Sequence, residues 1–139
     1  MATVLIVEDD ASLRALLHDF LAAACLDSVG IECLGQIERT RLPLYPDLVI
    51  VDLLFHDGSG VEATAGLRRL GLDDIPAIAL TSSHFASREV RDAGYFAAVL
   101  EKPFDLDDFL AVVSRLVPDQ PNRFEREDHP ERLVARQRR

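Results

Sequence analysis

The feature that most constrains this fold is an alternation between two apolar periods along the chain. The runs "TVLIV" (Thr3–Val7), "LVIV" (Leu48–Val51), "IPAIAL" (Ile75–Leu80) and "YFAAVL" (Tyr95–Leu100) have the length and composition of strands buried on both faces. Between them, apolar residues recur at three- and four-residue intervals. Leu13, Leu16, Leu17, Phe20, Leu21 and Ala24 predict a helix from Ser12, capped by Asp10, whose polar face carries Arg14, His18 and Asp19. A weaker strand over about Ser28–Leu34 and a short helix over about Gln36–Leu42, stopped by Pro43 and Pro46, come next. Val61, Thr64, Leu67 and Leu70 predict a helix closed by Gly71. Phe85, Ala86, Val90 and Ala93 predict a weaker one ending at Gly94, and Asp105 caps a last helix with Leu106, Phe109, Leu110, Val113, Leu116 and Val117 inside.

Five strand–helix repeats of this kind predict an α/β chain with a parallel sheet covered on both faces. Right-handed crossovers leave few topologies, and at this size the expected one is a flavodoxin-like (βα)5 three-layer sandwich with strand order 2-1-3-4-5. The 139 residues, 48% of them hydrophobic, suffice for one domain over 1–117. Residues 118–139, with six arginines, five acids and few large apolar groups, are expected to be a disordered or marginally helical tail.

Composition also removes function classes. The chain's formal charge of −9 comes from its first 117 residues, which carry −10 against +1 in residues 118–139, and it argues against nucleic-acid binding by the domain itself. No run approaches the ~18 apolar residues of a membrane span. The N-terminus lacks the basic segment of a secretory signal, and Cys25 and Cys33 have no metal-ligand spacing. A cytoplasmic protein with reduced thiols is the expectation.

In an open α/β sheet, ligands bind beyond the carboxyl ends of the strands. Strand one ends in Glu8-Asp9-Asp10, strand three in Asp52, strand four in Thr81-Ser82-Ser83 and strand five in Glu101-Lys102, the only lysine in the chain. Acids occupy the turn where a nucleotide-binding fold needs glycine and free N–H groups, so a phosphate cradle is excluded. Glu8, Asp9 and Asp52 would repel one another without a neutralising partner. A hard divalent cation that keeps several waters, Mg²⁺ or Mn²⁺, meets that need, with Lys102 as a second positive charge. Asp52 is then placed as a nucleophile toward a phosphoryl donor, with the Thr81 hydroxyl and Lys102 on the transferring oxygens. Taken singly, each residue has a plainer reading. Asp10 and Asp57 read as cap or loop acids, His56 and His84 as exposed loop residues, and His18 as part of a polar helix face.

Together the motifs "VLIVEDD", "PDLVIVDLLFHDGSG", "ALTSS" and "EKPF" resemble the receiver domain of bacterial two-component response regulators, over about Thr3 to Val117. The resemblance implies Asp52 as phosphoacceptor and Glu8 and Asp9 as the acid pair holding Mg²⁺, aided by Asp52 and the backbone carbonyl of Leu54. It implies Thr81 and Lys102 as phosphoryl contacts and a cis bond before Pro103. The implied donor is a sensor histidine kinase or a histidine phosphotransfer protein. With no second globular domain after Val117, output is expected through protein contacts, as a stand-alone phosphoreceiver or a relay member.

Two positions depart from the family pattern. His56 stands where a loop proline is usual, and Val99 where an aromatic switch residue is usual, with Tyr95 and Phe96 nearby. A graded switch working through Thr81 and Lys102 is expected. Leu54, apolar beside the acceptor, cannot orient water, so slow autodephosphorylation is expected. Two other readings stay open. One is a Mg²⁺-dependent phosphohydrolase with an aspartyl nucleophile, against which stand the short chain and the Glu-Asp-Asp order. The other is a degenerate receiver that is never phosphorylated and acts as an interaction module.

Overall fold

Thr3–Val7 forms β1, and all five of its residues are buried. The computed structural model describes residues 2–33, 45–53, 61–82, 88, 91–92 and 94–117. The expected helix at Gln36–Leu42, most of that at Phe85–Ala93, the segment with Leu54, His56, Asp57 and Gly60, and the tail 118–139 lie outside the described residues.

β1 pairs in parallel with β2 (Asp27–Ile31) on one side and with β3 (Leu48–Asp52) on the other. β3 pairs with β4 (Ala77–Thr81), which pairs with β5 (Ala98–Glu101), again in parallel. The order is β2-β1-β3-β4-β5, the flavodoxin-like arrangement expected from the crossover pattern. The three inner strands are enclosed on both faces, which is why their sequences run apolar without alternation. The edge strands β2 and β5 are less covered.

Three helices lie among the described residues: α1 (Ala11–Ala23), α2 (Val61–Arg69) and α3 (Leu106–Leu116). On one face of the sheet, Val4, Ile6, Ile50, Ile78 and Leu80 pack with Leu17 and Leu21 of α1 and Phe109 and Val113 of α3. On the other, Leu5, Val7, Val49, Val51 and Ala79 pack with Ala63 and Leu67 of α2. The Phe109 ring stacks on Phe104 at 5.9 Å and meets Phe20 at a tilt, 5.6 Å between centroids. Full burial of side chains this size stabilises the fold by about 1.5–3 kcal/mol each.

Caps fix where the helices begin and end. The Asp10 carboxylate accepts from the N–H groups of Ser12 and Leu13, and Asp105 accepts from that of Asp108 at 2.8 Å. Gly71, at φ 73°, takes the left-handed turn after α2, with its N–H donating to Arg68 O. At the corresponding turn after α1 the residue is Cys25, at φ 60°.

Several expectations are corrected. Leu16 and Leu106, assigned to apolar stripes, are 44% and 38% exposed, because each stripe is wider than the surface that covers it. β4 starts at Ala77, not Ile75: Pro76 has no N–H for a ladder, and its carbonyl accepts from Val49 N–H. β5 starts at Ala98, not Tyr95, since Tyr95 and Phe96 pack edge to face on the α2 side before the ladder begins. His18, on the polar face of α1 as expected, is half-buried and hydrogen-bonds through Nδ1 to Ser28 Oγ. Among the described residues, no helix is long and apolar enough to cross a membrane.

Candidate functional site

The carboxyl ends of β1, β3, β4 and β5 fall on one edge of the sheet. Asp52 is the last residue of β3 and only 3% exposed. It is held inside the sheet by ladder pairing with Leu80, so its carboxylate is presented from a rigid strand. Lys102 follows β5, and its Nζ donates to Asp52 Oδ2 at 2.7 Å. The Lys102 N–H also donates to Thr81 O at 2.7 Å, which ties the end of β5 to that of β4. The Lys102–Pro103 bond is cis.

Glu8 leaves β1 with its carboxylate buried, 2% exposed. Its Oε1 accepts from the Asp10 N–H at 3.0 Å. Its Oε2 is buried and no donor among the described residues reaches it. Burial, and secondarily the neighbouring Asp52 carboxyl, pushes the Glu8 acid up to about 8; the Asp10 N–H and the Lys102 ammonium pull it back only in part. Two carboxyl groups therefore share one lysine. The deficit of positive charge is local and chemical: one acid is kept protonated near neutrality, or a cation is required.

The structure thus brings Glu8, Asp52 and Lys102 together. Thr81 is buried at the end of β4, next after the ladder partner of Asp52. Asp9 sits beside Glu8 in the turn before α1 and is exposed. Among the described residues, no three His, Cys, Asp or Glu side chains converge as a closed metal cluster. Leu54, expected to lend its carbonyl, lies outside the described residues.

Sequence reasoning missed Arg14. Its Nη1 donates to the Glu8 backbone carbonyl at 2.7 Å. The available signal was Gly30 in the interior of a strand, since such a glycine often marks a close approach by another group. Val99 pairs with Ala79 and is half-buried against the core, so the β5 position expected to hold a switch aromatic is filled by a small apolar side chain.

A family model for the response regulator receiver domain matches residues 4–114. The chain belongs to this family. The response regulator DivK of Brucella anthropi, which acts in polar differentiation, is 28% identical over 84% of this chain and 97% of its own length. A response regulator receiver protein from Burkholderia phymatum superposes with a TM-score of 0.70 at 26% identity, covering 84% of this chain and 95% of that one. The receiver domain of the sensor histidine kinase PA1611 from Pseudomonas aeruginosa, solved with a magnesium ion coordinated in its active site cleft, shares the fold. Its TM-score is 0.67 at 21% identity over 84% of this chain and 97% of that one. The first curated relatives are transcriptional regulatory proteins, and the chain spans 35% of the length of one and 56% of the next. A receiver domain is a signalling phosphoacceptor of two-component systems.

Proposed function

We propose that Asp52 of this receiver accepts a phosphoryl group from a phosphohistidine, supplied by a sensor histidine kinase or a histidine phosphotransfer protein. The observation that carries the reading is the 2.7 Å pairing of the buried Asp52 carboxylate with Lys102, beside the buried carboxyl of Glu8. In the transfer, an Asp52 oxygen attacks phosphorus, the phosphorus–nitrogen bond breaks, and the imidazole nitrogen keeps the electron pair. Lys102 turns from the carboxylate to the phosphoryl oxygens, and the Thr81 hydroxyl donates to another of them. Glu8 and Asp9, with Asp52, would hold Mg²⁺ (or Mn²⁺), which would offset the charge that builds on the transferring oxygens. The burial of Asp52 limits water at the acyl phosphate once it has formed.

The buried Glu8 carboxyl set beside that of Asp52 supports the cation, because paired acids with oxygen donors are what Mg²⁺ prefers. The magnesium-containing cleft of the PA1611 receiver supports it independently. The acidity of the domain supports output through protein contacts over direct DNA binding by this domain.

The test is intact-mass measurement after incubation with acetyl phosphate and Mg²⁺. The wild type gains one phosphoryl group, Asp52→Ala gains none, and chelation of the metal abolishes the gain. Labelling of Asp52→Ala equal to the wild type would overturn the assignment. Sustained hydrolysis of phosphate esters by the purified protein would favour the phosphohydrolase reading instead.

A further inference from the structure

The carbonyl of Glu8 lies one residue beyond the end of β1, where the chain turns away from the sheet. The Glu8 N–H still donates to Ile31 O at 3.0 Å. Its carbonyl instead takes the guanidinium of Arg14, at 2.7 Å, from the first turns of α1. With Oε1 bonded to the Asp10 N–H, Glu8 is fixed at three points: amide, carbonyl and carboxylate.

Arg14 reaches that carbonyl by crossing β2 at Gly30. A Cβ at position 30 would stand 2.7 Å from Arg14 Cδ, 3.0 Å from Arg14 Cγ and 2.7 Å from His18 Nε2. His18 lies in the same layer and is anchored to Ser28 Oγ. The absence of a side chain at position 30 is therefore what lets the arginine stem lie flat. Arginine suits the task because its rigid, always-charged fork gives a directional bond to a carbonyl.

We infer that Arg14 is a positioning residue for the acidic turn, with Gly30 as the gap that admits it, so that Glu8 and Asp9 are held in place before the cation arrives. The inference rests on the proposed role of Glu8 and Asp9 as cation ligands. The groups that orient metal ligands matter for affinity although they never touch the metal.

The experiment measures two quantities on the full chain. One is the Mg²⁺ dissociation constant by calorimetry; the other is the hydrogen-exchange rate of the Asp10 amide by NMR in the absence of metal. Arg14→Ala is expected to weaken Mg²⁺ binding about tenfold and to speed exchange at Asp10. Gly30→Ala, with the arginine still present but displaced, is expected to do the same, and the double variant no more than either alone. Arg14→Lys is expected to recover part of the loss, and His18→Gln to leave both quantities unchanged. Wild-type values in both Arg14→Ala and Gly30→Ala would overturn the inference. So would a lowered melting temperature with unchanged Mg²⁺ affinity, or a His18→Gln variant that reproduces the loss. If the wild type itself binds no Mg²⁺, the proposed function fails, while the exchange rates still decide whether Arg14 immobilises the turn. Should Arg14→Ala not fold, Gly30→Ala and Arg14→Lys carry the same comparison.

Discussion

The Lys102 ammonium and the Asp52 carboxylate, 2.7 Å apart, join the ends of two strands that are not neighbours in the sheet, with β4 between them. Asp52 is almost wholly enclosed, and the lysine side chain is 20% exposed. Removing the lysine leaves two adjacent buried carboxyls with no cation. Lys102→Met is expected to lower stability by roughly 2 kcal/mol at pH 8, read from urea unfolding, and to slow labelling by acetyl phosphate at least ~100-fold. Adding Asp52→Asn to that variant should restore most of the stability and none of the labelling.

The metal-free receiver is expected to lose stability as pH rises. The Glu8 acid titrates near 8 in the folded chain, against 4.5 as its ordinary value, so the native state holds its proton more tightly than the unfolded state does. Its contribution is fully present below about pH 4.5, declines through the interval and is gone above about pH 8. Glu8→Gln should remove that decline and stabilise the metal-free protein at pH 9 by roughly 3 kcal/mol. Urea midpoints at pH 5 and pH 9 for both proteins check this. Mg²⁺ uptake at pH 7 should release protons, seen as a buffer-dependent heat in calorimetry.

Cys25 holds a left-handed backbone, φ 60°, at the turn after α1, where its N–H donates to Ala22 O and the next N–H to Leu21 O. Glycine adopts this conformation without the Cβ clash. Cys25→Gly is therefore expected to stabilise the fold by about 0.5–1 kcal/mol, with no effect on labelling. A melting temperature below that of the wild type would contradict the strain argument.

At the opposite end of the sheet, the buried Asp47 accepts from Thr3 N–H at 3.0 Å, and its own N–H donates to Thr3 O. Asp47→Ala leaves that buried amide without its carboxylate partner. A loss of about 2 kcal/mol is expected, with Mg²⁺ affinity unchanged in the folded protein, which separates stability from site chemistry.

Much of this was legible because strands buried on both faces leave a continuous apolar signature, and because four of them end in polar residues of complementary chemistry. Leu48–Val51 followed by Asp52 is the clearest case: the apolar run locates the strand, and the abrupt acid locates its open end. Asp10 and Asp105 were readable as caps because the preference for a short oxygen-bearing side chain there is local. Arg14 and His18 were not. Helical spacing places both on a polar face, and nothing local says that this face folds over a bare stretch of β2. The start of β5 was misplaced because Tyr95 and Phe96 are as apolar as strand residues yet belong to the packing before the ladder. The state of Glu8 was equally hidden, since it depends first on how deeply its carboxyl is buried and then on Asp52 at the end of the adjacent strand.

Lys102 is attached twice, by its amide to Thr81 O and by its ammonium to Asp52. The two attachments leave the residue as a short strut spanning three strand ends. If the ammonium shifts outward to follow an added phosphoryl group, the strut lengthens on one side while its amide anchor stays put. The difference in reach must then be taken up by the side-chain torsions or by displacement of β5, a half-buried strand at the edge of the sheet. A chemical change at the middle of the sheet is in this way converted into a mechanical demand on its margin.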